Sequence, residues 1–164
     1  MEKPYTSMNT IKRGSIFSAI LLTALLAGTL DAAAAVVHYI IATGKNPIVI
    51  FPYIASGVFG KAAFSGESIM VFWGFLFHYL IAFIFTVFFF LLYPRVNLLA
   101  ANIFITGIVY GLFVWLVMNL LVLPVSNIPK STFDLKGAII GVIILMFCIG
   151  LPIALMAKNF YKRN

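Results

Sequence analysis

Charge is what this chain has least of. Only 9% of its 164 residues are Asp, Glu, Lys or Arg and 63% are hydrophobic, whereas soluble domains carry about a quarter charged residues. With a mean hydropathy of +1.13, the balance excludes an ordinary soluble fold and specifies an integral membrane protein. The single cysteine, Cys148, excludes an internal disulfide and dithiol exchange of the CxxC kind. Inside an apolar helix such a thiol is ordinarily a small hydrophobe. Nucleophile motifs, phosphate loops and paired carboxylates are missing too, which argues against a hydrolase or kinase. Acidic residues number four against eleven Lys and Arg, a net charge of +7. Those cations gather at the ends of apolar runs rather than on one face, so they point to lipid head groups and topology, with no nucleic-acid partner.

What the chain has in abundance is apolar length. Residues 71–93, VFWGFLFHYLIAFIFTVFFFLLY, contain no charged residue and are long enough to cross a bilayer core of about 30 Å at roughly 1.5 Å per residue. Every other run can be placed relative to this helix. The expected fold is an all-α membrane protein, a single bundle over residues 1–164 with transmembrane helices at about 15–41, 69–93, 99–123 and 137–159. The first run is too long for a signal-peptide core and is followed by no convincing cleavage site, so it stays as a helix. Gly44, Asn46 and Pro47 end it. Residues 48–64 are apolar but broken by Pro52, Gly57 and Gly60, and are too short to cross and return as two helices. They lie at the interface or dip partway, and Lys61 alone is a poor polar face, which favours a partly buried or re-entrant segment. Pro94 and Arg95 end the second helix and leave only a short turn, so the second and third helices form an antiparallel hairpin. Pro152 is expected to kink the fourth.

Four crossings place Lys3, Lys12, Arg13, Arg95, Lys158, Lys162 and Arg163 on one side and Lys45, Lys61, Lys130 and Lys136 on the other. The excess of positive charge on the first side puts both termini in the cytoplasm.

The few polar residues inside the runs define a candidate site. In the first helix Ala24, Ala27, Gly28, Asp31, Ala35 and His38 share one side, while Leu22, Leu25, Val36 and Ile40 fall opposite. Small residues allow close helix approach and large aliphatic ones suit lipid, so the Asp31 face looks into the protein. An ionisable group near mid-membrane is costly unless paired, neutralised or hydrated, and marks function or a helix tether. His78 is set between Gly74 and Ala82 at helical spacing, against a neighbouring helix. Asp31 and His78 both count to roughly 15–20 Å below the outer ends of their helices, and Tyr110 to a similar depth. The expected cluster is therefore Asp31, His78 and Tyr110, with His38 and Asn119 nearer the outer surface. Opposed histidines at equal depth, which a haem held between two helices needs, are lacking. Asp31, His38 and His78 form no metal-ligand motif, so neither cofactor nor metal is expected. Gly107-Ile-Val-Tyr-Gly111 is a small-xxx-small pattern for close packing of the third helix.

The segments LAGTLDAAAA, YIASGVFGKAAFSG, FWGFLFHYLIAFIF ending at YPRV, and GIVYGLFVWLVMNLLVLPVS together resemble the YagU-like group of small bacterial inner-membrane proteins. The match is one of overall pattern over roughly residues 26–152, and the connection between the first two helices is shorter than in that group's namesake. The resemblance implies a bacterial inner-membrane location and a four-helix bundle, and supplies no catalytic residue.

Asp and His are the usual proton carriers of membrane proteins, so the leading functional expectation is transport or proton-coupled handling of a small solute. Four short helices enclose little space, which makes a homo-oligomer the expected form. The rival is a non-catalytic membrane protein that binds or stabilises a partner protein or lipid; a membrane enzyme is the weaker third. A water-filled cavity reaching Asp31 favours the first reading, and a dry, tightly packed Asp31 with an exposed intramembrane groove favours the second.

Overall fold

The computed structural model describes residues 15–66, 68–129 and 134–163, and among them the chain is helical throughout its regular structure. The long helices are α1 (Ile16–Thr43), α2 (Ile50–Phe59), α3 (Ser68–Leu92), α4 (Ile103–Val117), α5 (Leu135–Leu145) and α6 (Leu151–Arg163). Local chemistry sets their ends. Gly44, at φ 65°, closes α1 by donating its N–H to the Ile40 carbonyl, the left-handed cap that glycine adopts without strain. The side chain of Asn102 accepts from the N–H groups of Phe104 and Ile105 to start α4, and Asp134 does the same for Lys136 and Gly137 at α5.

Both C-terminal runs pass through a π-helical turn before a proline. Met118–Val122 follows α4 and precedes Pro124, and Met146–Gly150 joins α5 to α6 just before Pro152. Proline supplies no N–H and its ring crowds the carbonyl four residues back. Those carbonyls, at Leu120 and Cys148, fall inside the π turns, which absorb the conflict by widening the helix.

Glycine-on-backbone contacts fix how the runs lie. A Cβ on Gly107 would meet Leu151, and one on Gly111 would meet Met146, so α4 runs antiparallel to the α5–α6 run at the close distance the small residues allow. The Tyr161 hydroxyl donates to the Phe90 carbonyl at 2.7 Å. The C-terminal ends of α3 and α6 and the start of α4 therefore share one end of the bundle. At that end lies the packed core, where Phe89, Phe90, Ile153, Ala154 and Ala157 are completely buried. Outward-facing side chains are large and apolar, Phe17, Leu22, Ile41, Leu98 and Leu120 among them, a surface suited to lipid rather than water.

Among the described residues five stretches, one more than the four expected, are long and apolar enough to cross a membrane: Ile16–Thr43, Pro47–Phe64, Ser68–Arg95, Ile103–Val125 and Leu135–Lys162. The extra one is the segment between the first two long helices. Its sequence breakers act less than their number suggests. Pro52 falls in the first turn of α2, where a missing N–H costs nothing, and Gly57 stays helical. Gly60 is the effective break, at φ 57° and ψ −138°. Continuous α-helix in this segment is limited to α2, which at 10 residues is about 15 Å long.

The Asn127 N–H donates to the Gly57 carbonyl at 3.0 Å and its side-chain amide to the Val58 carbonyl at 3.1 Å, tying the end of α2 to the turn after α4. At its start, α2 lies so close to α3 that any side chain at Gly74 would run into the Phe51 carbonyl. Phe51 and Phe59 both seat against rings of α3, Phe51 on Phe75 and Phe59 on Trp73 and Phe77. The N-terminal cations Lys3, Lys12 and Arg13, and Lys130, lie outside the described residues.

Candidate functional site: a cavity at the loop end

Away from the packed core the bundle is hollow. An open cavity of about 880 Å³ is lined by α1, α2, α3, the α4 run and α5. Its deep end is walled by Asp31, Phe85 and Ile149, and its other end reaches Pro129 and Asp134, both exposed. The cavity thus extends from the outer loop to the middle of the bundle. Both π turns border it: Met118 and Asn119 come from the first and Ile149 from the second.

Asp31 is presented by the small-residue face of α1. Ala24 and Ala27 are buried on that face while Leu22 and Leu25 point outward. Among the described residues the Asp31 carboxylate has no hydrogen-bond or ion-pair partner, but it is near enough to His78 and Cys148 for direct electrostatic interaction. His78 enters from α3, and its Nε2 lies 2.8 Å from the Gly28 carbonyl, one turn before Asp31. A carbonyl can only accept, so Nε2 carries the hydrogen and Nδ1 takes no part in this bond. The absence of a side chain at Gly28 eases this approach, because a Cβ would sit 3.1 Å from the Tyr79 ring. Beside it Thr29 and Tyr79 share a hydroxyl hydrogen bond of 2.9 Å.

Four of the five residues singled out from sequence, Asp31, His38, His78 and Asn119, line this one cavity. Asn119 donates from its side chain to the Trp115 carbonyl at 2.9 Å, leaving its amide oxygen available. Tyr110 does not join them. It is 5% exposed, donates its hydroxyl to the Phe85 carbonyl at 2.6 Å, and packs on Phe89 at 4.6 Å between ring centres. The expected Asp31, His78, Tyr110 cluster is therefore replaced by a cavity wall without Tyr110, whose polar group is consumed in joining α4 to α3. Direct hydrogen bonding between Asp31 and His78 is likewise absent, because the imidazole hydrogen is engaged by the α1 main chain.

Sequence reasoning missed the aromatic part of the wall. Tyr39, Tyr53 and Trp115 all line the cavity, and Gly141 faces the Trp115 indole, whose Nε1 would lie 3.4 Å from a Cβ there. Tyr53 gave no signal, because the short run that carries it has no clear period. Trp115 and Asn119 are a helical turn apart on one side of α4, which was a usable signal. Among the described residues no group of three His, Cys, Asp or Glu could hold a metal ion. Compared with protein-family models, curated proteins and solved structures, the chain matches none.

Proposed function

We propose that the protein is a multi-pass membrane protein that takes a small solute into this cavity and couples its handling to a proton at Asp31. The observation that carries the reading is one cavity running from the exposed loop end to an unpaired carboxylate deep in the bundle. A carboxylate in such a place is expensive to maintain without function. Its nearest basic side chain, His78, keeps one ring nitrogen free, so the pair can exchange protons with a solute or with water. The same reading makes Pro47–Phe64 a re-entrant element and leaves four crossings, with both termini on the cytoplasmic side of a bacterial inner membrane and a homo-oligomer as the working form. YagU-like membership is part of the proposal and rests on the pattern of the segments alone.

The test is reconstitution into vesicles loaded with a pH-sensitive dye. Pools of small solutes should produce protein-dependent proton movement. No such movement with any pool, together with a tightly bound lipid or protein recovered from the purified material, would replace this reading by the partner-binding one.

A further inference from the structure

We infer that the cavity selects an amphipathic organic cation, an ammonium or phosphonium centre carried on an apolar or aromatic body; this rests on the proposed solute-binding role of the same cavity. Three features of the wall converge on that chemistry. Its charged residues are both carboxylates, Asp31 at depth and Asp134 at the mouth, with no Lys or Arg among the described lining residues. The two carboxylates repel an anion, and carboxylates surrounded by low-dielectric walls concentrate positive charge. The two carboxylates are not equivalent. Both oxygens of Asp134 already accept main-chain N–H bonds from Lys136 and Gly137, whereas Asp31 has none, so Asp31 is the counter-charge for a bound cation.

The remainder of the wall is apolar and aromatic. Tyr39, Tyr53 and Trp115 offer ring faces, and Met118 a deformable thioether, the combination that holds cations through the negative face of a π system and adapts to bulky bodies. A compact inorganic cation would find too few oxygen ligands here, since hard cations require about six. The volume, about 880 Å³, lies in the range of sites for drug-sized molecules. A bound cation would also neutralise Asp31 without requiring a charged imidazole at His78 or His38.

The test uses matched probes of opposite charge, tetraphenylphosphonium and tetraphenylborate, against the full chain in lipid nanodiscs. A cysteine is introduced at the cavity wall, Ala138→Cys, in a Cys148→Ala background, and its reaction with a small neutral thiosulfonate is followed. The expected result is ready modification that tetraphenylphosphonium slows saturably and tetraphenylborate does not. Adding Asp31→Asn should raise the phosphonium concentration needed by about tenfold or more, the scale of one lost charge-assisted contact. If the thiol reacts but the borate protects as well as the phosphonium, or neither protects, cation selectivity is overturned and the solute cavity stands. If the folded protein does not react with the neutral reagent, the cavity is closed to small molecules and both readings fall.

Discussion

The His78 imidazole on α3 is hydrogen-bonded through Nε2 to the Gly28 main-chain carbonyl on α1, at 2.8 Å. A side chain from one helix thereby engages the backbone of its neighbour one turn from Asp31, in a region where water cannot easily replace the lost bond. Such interhelical bonds are worth on average about 0.6 kcal/mol and at most about 1.7. His78→Leu should therefore lower stability by about 1 kcal/mol, read from unfolding of the detergent-solubilised protein. His78→Gln keeps a donor and should recover part of the loss. Equal stability of the Leu variant and the native protein would show that the bond contributes nothing.

The contact between α2 and α3 makes a sharper demand. Gly74 lies against the Phe51 main chain with no room for a Cβ, and a main chain cannot swing aside as a side chain does. Gly74→Ala should destabilise the protein by about 1–3 kcal/mol, the usual cost of overpacking, and loosen α2 from the bundle. Gly141→Ala is the contrast. Its Cβ would stand 3.4 Å from the Trp115 indole, and alanine is the better helix former by about 0.8–1 kcal/mol. Thermal unfolding should rank Gly74→Ala well below Gly141→Ala; the reverse order would mean that α2 is not held as described.

The long helices were legible in the sequence because lipid imposes one requirement, an unbroken apolar run, that needs no tertiary information. The inward face of α1 was legible as well, since alanine and glycine opposite leucine sort themselves by size: Ala27 is 0% exposed and Leu22 61%. Two things could not be read: the partner a deep side chain selects, and rotation about the helix axis beyond a π turn. Counting residues gives depth, and Tyr110 does lie deep, but depth says nothing of which neighbour a side chain turns toward. The π turns at Met118–Val122 and Met146–Gly150 shift every later position relative to a 3.6-residue count, and proline alone announces a bend without saying how it will be accommodated. The helicity of Pro47–Phe64 was underestimated for a related reason, because a proline in a first turn and one in a helix interior look alike in sequence.

Topology separates the two accounts of Pro47–Phe64. If this segment re-enters, the exposed Lys45 and Lys61 lie on the same face of the membrane. In a Cys148→Ala background, Lys45→Cys and Lys61→Cys should both be labelled by an impermeant thiol reagent from the periplasm, as should Lys130→Cys. Lys162→Cys should be labelled only after the membrane is opened, following the excess of positive charge near the termini. Labelling of Lys45→Cys and Lys61→Cys from opposite faces would establish a fifth crossing.

The decisive substitution is at Asp31. Asparagine keeps the shape and hydrogen-bonding capacity of the side chain but can neither ionise nor carry a proton. Asp31 has no hydrogen-bond partner to lose among the described residues, so Asp31→Asn should not lower the unfolding stability of the native protein. Removing a charge from a low-dielectric site could even stabilise the bundle slightly. If Asp31 were only a helix tether, asparagine would serve nearly as well and solute-dependent proton movement in vesicles would continue. If Asp31 is the proton site, movement falls by at least about a hundredfold, the lower end of the range for losing a general acid or base, while the fold persists. Asp31→Glu then provides the control, restoring an ionisable group one methylene longer in a cavity with room to accept it. Undiminished proton movement in Asp31→Asn, in protein that unfolds like the native chain, would remove Asp31 from the mechanism.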